Sequence, residues 1–173
     1  MRTTVLLAGA VAMLALVLSG CSPHPVEPGV SSLPAAVSAE PVDSPAASPT
    51  EAAEQWMIHY RARHWQDGSA AAWVDRVRPY VTDAQHARDE QVRDGTAGTD
   101  WSEFVNDRCH STVADVAAVV PPEAPGTPDA VNVLVSATVH TRCTGGASVE
   151  HAAATLVVVR APDGSFRVDD RVF

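Results

Sequence analysis

The sequence predicts an α+β domain at residues 48–173, with N-terminal helices packed on a curved four-stranded antiparallel sheet. Three observations carry this prediction. Between residues 48 and 106, apolar side chains recur at helical spacing behind capping signals. From Cys109 onward the pattern changes to extended runs rich in Val, Ala and Thr. The connections between the later runs are short, and short connections join antiparallel neighbours. Helices first and strands after is an α+β order.

The first helix opens at Ser48-Pro49-Thr50-Glu51, with Ser at N-cap, Pro at N1 and Glu at N3. That is a capping box, in which the Ser and Glu side chains satisfy orphan N–H groups of the first turn. Ala53, Trp56, Met57, Tyr60 and His64 follow at helical spacing, and Asp67-Gly68 ends the helix. A second helix starts at Ser69, carries Trp73, Val74 and Val77 on one face, and stops before Pro79, whose ring and missing N–H interrupt the ladder. Thr82-Asp83-Ala84-Gln85 opens a third, more polar helix that ends at Asp94-Gly95. A short helical turn with Trp101 and Phe104 spans 100–106.

Strands are predicted near 109–120, 130–143, 147–160 and 165–173, separated by "PPEAPGTPD", "TGG" and "APDG". In the absence of a bulge, pairing Val120 with Asn132 sets Cys109 opposite Cys143. Facing residues on antiparallel strands lie about 4.5–5.5 Å apart, a separation that a disulfide spans. The same register places Val113, Val119, Val131, Val133, Val135 and Val139 on the core face.

Upstream of the domain, Met1 and Arg2 precede an apolar block, Val5 to Leu18, of roughly fourteen residues. A membrane-spanning helix needs about 20, so the block reads as a signal-peptide core. It stops at Leu18-Ser19-Gly20-Cys21, which resembles the lipobox of bacterial lipoproteins. The resemblance implies a signal peptide at 1–20, cleavage before Cys21, and lipid on its thiol. It also implies an anchor in the cytoplasmic membrane on the extracytoplasmic face, since two or more acyl chains hold stably. Residues 21–47 are rich in Pro, Ser and Ala without apolar period, and read as a tether reaching about 80 Å when extended. With Cys21 lipidated, Cys109 and Cys143 remain as a pair, and outside the cytoplasm such a pair oxidises.

Over residues 48–173 the chain resembles the cystatin-like, nuclear-transport-factor-two-like domains found in actinobacterial lipoproteins and conjugation accessory subunits. The features that match are the aromatic-bearing first helix, the Asp67-Gly68 break, "RVRPY", and the Thr82-Asp83-Ala84 opening of the third helix. The resemblance implies a cone in which helices cover the concave sheet face. It implies no particular activity, because one fold hosts many.

Isomerase-type members of that fold use a carboxylate tuned by burial. The corresponding candidates are Tyr60 and His64 on the first helix and Asp115 on the core side of the first strand. No catalytic motif accompanies them, and no enzyme is expected. His110, His140 and Glu150 are placed on one outer sheet face, where two imidazoles and a carboxylate have zinc-ligand chemistry. Their spacing matches no zinc motif, and no metal or cofactor is expected. The net charge is −9, becoming −10 once Arg2 leaves, and the chain has no lysine. Acidic surfaces are repelled by nucleic acid. The arginines at 61, 63, 76 and 78 read as solvated helix faces, or as partners of Asp67 and Asp75. The leading expectation is therefore a non-catalytic interaction or assembly module that engages an envelope protein. The alternative is a binder of a small apolar ligand, in a pocket lined by Trp56, Tyr60, Trp73 and Trp101.

Overall fold

The computed structural model describes residues 45–93, 99–124, 126–127 and 129–172. The chain divides into units Met1–Ala39 and Glu40–Phe173, and all described residues belong to the second. The signal peptide expected at 1–20, Cys21 and the expected tether up to residue 44 lie outside the described residues. No helix among the described residues is long and apolar enough to cross a membrane.

Helix α1 (Pro49–Arg61) starts at the predicted cap: Ser48 Oγ accepts from the Glu51 N–H at 3.1 Å, and Glu51 Oε2 accepts from the Ala47 N–H at 2.7 Å. Its buried side chains, Ala52, Ala53, Trp56 and Met57, lie on one stripe. The helix ends before Asp67-Gly68. Ala62 is extended, and Arg63–His64 forms a short strand, β1, paired with Ser111 and His110. Hydrogen bonds with the sheet edge compensate the lost helical turn, and the Trp65 N–H continues the contact by donating to Cys109 O at 2.9 Å. His64 therefore sits on a strand, exposed, and not on the first helix.

Helix α2 (Trp73–Val77) begins later than Ser69, because i to i+3 bonds from Ala72 to Ser69 and from Val74 to Ala71 tighten the preceding turns. Pro79 converts its end to a 3-10 turn, Arg78–Tyr80. Helix α3 (Asp83–Arg93) is capped by Thr82 Oγ1, which accepts from the Gln85 N–H, and α4 (Thr99–Asn106) precedes the sheet.

The sheet is antiparallel, with β2 (His110–Val119), β4 (Ala130–Cys143), β5 (Gly146–Arg160) and β6 (Phe166–Val172) close to their predicted places. Its order is β1-β2-β4-β5-β6, with β3 (Gly126–Thr127) beside β4. Six strands thus replace the expected four; β1 and β3 are two residues each, too short to leave a periodicity. The body also takes in Ala46, assigned from sequence to the tether. It is buried, and its carbonyl accepts from the Phe166 N–H on the edge of β6.

The predicted β2–β4 register holds from the disulfide to Ala114↔Thr138, then shifts by one at a bulge on Asp115, whose φ is 51°. A bulge changes which residues face the core. Val116 and Ala118 pack inward, whereas Val119, expected in the core, is exposed. Asp115 is exposed as well, so it does not face the core. The β4–β5 turn contains two residues, Thr144-Gly145, closed by Gly146 at φ 153°, a conformation that favours glycine. This tight turn pairs Glu150 with Val139 and carries Glu150 from the expected outer face to the helix-covered face.

On that face α1 packs against β2, β4, β5 and β6. Trp56, Met57, Val77, Val133, Val135, Leu156, Val158 and Val168 fill the interior. The Cys109–Cys143 disulfide joins the start of β2 to the end of β4 across a sequence separation of 34 residues. Replacing both cysteines by serine is expected to cost roughly 3–4 kcal/mol through the released loop entropy of the unfolded chain. Urea unfolding of oxidised protein and double variant measures it; coincident curves would show that the bridge constrains nothing.

Candidate functional site

Where α1, α2 and α4 meet the sheet, a cleft of about 410 Å³ opens. Local sequence brings its wall together. Tyr60 closes the last turn of α1, and Trp73 starts α2 and meets Tyr60 edge-on at 4.9 Å. Trp101 and Phe104, three residues apart on α4, share one face and stack at 5.5 Å. Three of the four predicted pocket residues, Tyr60, Trp73 and Trp101, therefore line the cleft. Trp56 does not. It is fully buried and stacked on Tyr60 at 4.6 Å, and it borders a second, smaller pocket of about 240 Å³ with Tyr60, Arg61 and Glu150.

The floor is a row running across three strands. Arg63 pairs with Ser111, which pairs with Thr141, and the two hydroxyls are 2.8 Å apart. The arginines around it divide by partner. Arg61 pairs with Glu150, Arg76 with Asp67 at 3.0 Å and Arg78 with Asp83 at 2.6 Å. Arg76 also bonds the carbonyls of His59 and Ala62, which ties down the end of α1. Asp75 pairs with Arg93.

Arg63 differs from these. Its guanidinium lies 4.7 Å from the Phe104 ring and 5.4 Å from that of Trp101. Its Nε is buried and has no acceptor among the described residues. Burial, and then the charge of Arg61, hold its pKa below the ordinary arginine value; a guanidinium starts so high that it remains charged. The sequence reads Arg63 as part of a solvated helix face or as a partner of Asp67 or Asp75, because only the β1 pairing with Ser111 turns it inward.

Beside the cleft lies a second group with no sequence signal. Arg171 on β6 spans the Trp56, Tyr60 and Trp73 rings at 5.9, 5.6 and 5.2 Å and bonds Asp89 of α3. Asp89 is 0% exposed and accepts from Gln85 Nε2 at 2.7 Å, while its Oδ2 has no donor among the described residues. Burial raises its pKa against the opposing pull of Arg171 and Gln85.

The remaining candidates do not assemble. Tyr60 is in the cleft, His64 is on exposed β1, and Asp115 is on the outer side of the sheet beside Ser136, Thr138 and His151. His110 and His140 share the outer face, but the β4–β5 turn moves Glu150 to the other side. Among the described residues no cluster of three metal-ligating side chains occurs.

The outer face carries a feature of its own. Val119, Leu134, Thr155 and Val172 pair in turn across β2, β4, β5 and β6, forming one row. Val119, Leu134 and Val172 are 52%, 44% and 51% exposed. The row on one side of it, Ala117, Ser136 and Ala153, has only small side chains, and the row on the other side is Asn132, Val157 and Asp170.

No family model matches the chain, and no curated protein matches it. Among solved structures the chain is similar to an "Ntf2 like protein involved in plasmid conjugation", with a TM-score of 0.47 and 16% sequence identity. The likeness covers 72% of this chain and 47% of that one, so the chain spans about half the length of the structure it matches.

Proposed function

We propose that the protein is a non-catalytic interaction module of the cell envelope, lipid-anchored at Cys21 and engaging an envelope protein through the outer face of its sheet. The observation that carries this reading is the exposed row Val119–Leu134–Thr155–Val172 beside a filled interior. An uncovered apolar patch on a soluble body marks an interaction surface. Each half-exposed Val or Leu contributes on the order of 1 kcal/mol when a partner covers it. The small residues along one flank, Ala117, Ser136 and Ala153, leave that side of the row open. The lipobox and the proline-rich segment supply an anchor and a spacer, and the acidic surface disfavours nucleic acid as the partner.

Crosslinking in intact cells followed by affinity recovery tests this. A discrete partner is expected with the wild type and is expected to fall at least tenfold with Leu134→Arg, whose side chain points away from the core. Cys21→Ala is expected to move the protein from the detergent phase to the aqueous phase. Recovery of monomer alone, or undiminished capture by Leu134→Arg, would overturn the assigned face. A wild-type protein that partitions into water would overturn the anchor.

A further inference from the structure

We propose that the cleft is a binding site for a monocarboxylate carried on an aromatic or aliphatic body, with Arg63 as the residue that holds the carboxylate. This goes beyond the partner-binding face, which lies on the opposite side of the sheet, and the two stand or fall separately.

Four features of the cleft lead here. First, Arg63 is the cleft arginine without an ion pair: Arg61 already holds Glu150, whereas the buried Nε of the Arg63 side chain has no acceptor among the described residues. A half-buried guanidinium with a buried, unsatisfied Nε–H carries a desolvation cost that an anionic ligand offsets. Second, Trp101 and Phe104 hold the guanidinium through their ring faces, and ring faces supply no hydrogen-bond acceptor. The planar fork of N–H groups is thereby oriented and still available, the geometry that suits bidentate carboxylate binding.

Third, Arg63 continues into the Ser111–Thr141 hydroxyl pair on the same row of the sheet. One hydroxyl of such a pair donates to the other, and the acceptor's own O–H remains for a ligand. Around this polar floor the walls are Tyr60, Trp73 and Trp101, and about 410 Å³ lies within the range of small-molecule sites.

Fourth, the local charges select the kind of anion. Asp100 is exposed at the opening, and Glu150 lines the cleft although paired to Arg61. Arg61 and Arg63 are matched in the cleft by Asp100 and Glu150, so it carries little net positive charge and repels a doubly charged anion more than a singly charged one. A phosphate monoester, which carries nearly two, meets repulsion that one arginine does not offset. Selectivity therefore favours a carboxylate over a phosphate, and an ionised acid over its neutral amide.

The experiment titrates the full chain with 3-phenylpropionate, octanoate, 3-phenylpropionamide and 2-phenylethyl phosphate, following tryptophan fluorescence and heat of binding. At least one acid is expected to saturate the protein. Phenylpropionate is expected to bind at least tenfold more tightly than its amide or the phosphate ester. Arg63→Gln is expected to weaken the acid at least tenfold while leaving the amide within about twofold. The comparison of acid, amide and phosphate on the wild type requires no variant, so a poorly folded Arg63→Gln does not rescue the idea. Absence of saturable binding by both acids, equal binding of acid and amide, or tighter binding of the phosphate ester would each overturn it.

Discussion

Trp56→Ala is expected to destabilise the domain by about 4–5 kcal/mol, the upper part of the range for removing a large aromatic side chain from a packed interior. Trp56 is fully buried and stacked on Tyr60, and it belongs to the cluster that includes residues of α1, β4, β5 and β6. Truncation leaves a void that these elements cannot close without moving the helix against the sheet. A domain of this size has a total stability of roughly 5–15 kcal/mol, so the variant is expected to lose between about a third and nearly all of it. Trp56→Phe separates the two properties of the residue. It keeps a ring in the space and removes the buried Nε1–H, which has no acceptor among the described residues. Removing an unsatisfied donor offsets part of the lost packing, and the expected cost is about 1–2 kcal/mol. Urea titrations followed by circular dichroism measure both. A cost for Trp56→Ala below about 2 kcal/mol would mean that the interior is not packed around this ring.

Asp89→Ala is the second large expected effect, at about 3–4 kcal/mol, because it breaks a buried charge pair from one side. The nearly buried Arg171 loses the carboxylate that it bonds, and Gln85 loses an acceptor. The contact also joins α3 to β6, so its loss loosens the helix from the sheet edge. Asp89→Asn keeps an oxygen at the Arg171 and Gln85 positions and is expected to cost less.

The same residue predicts a pH dependence with a definite sign. Burial raises the Asp89 pKa above the ordinary 3.8, so the folded chain holds this proton more tightly than the unfolded chain does. Its contribution to stability is full below 3.8 and is lost as pH rises through the raised folded value. Asparagine does not titrate. The stability of wild type relative to Asp89→Asn is therefore expected to fall as pH is raised from about 3 through that value, and then to level off. The comparison cancels carboxylates such as Asp75 and Asp163, whose pKa values are lowered by hydrogen bonds and whose stabilisation is lost as pH falls. A difference that rises with pH over the same interval would show that Arg171, not burial, dominates at Asp89.

The sequence by itself determined what depends on neighbours along the chain. The Ser48 cap, the Pro79 stop, the Thr82 cap and the switch to strands after Cys109 each act within a few residues, and each stands where it was read. The cysteine register was legible too, because period two leaves few ways to pair two long apolar strands, and nothing interrupts the ladder between Cys109 and Ala114. Tyr60, Trp73 and Trp101, grouped from sequence as aromatic residues of one possible pocket, line the same cleft.

Tertiary structure alone decided the rest. One positive φ at Asp115 turned Val119 from core to surface and created the outer row. A two-residue turn, in place of three, moved Glu150 across the sheet to Arg61 and dissolved the histidine–carboxylate set. The choice of strand over helix at Arg63–His64 came from hydrogen bonds to Ser111 and His110, more than 40 positions further on. Asp89 and Arg171, 82 residues apart, have no shared pattern that would pair them. Local signals report the conformation of a few residues at a time, whereas the face a strand presents and the partner a charge finds depend on registers summed over the whole sheet. A single added residue in that sum reverses the outcome.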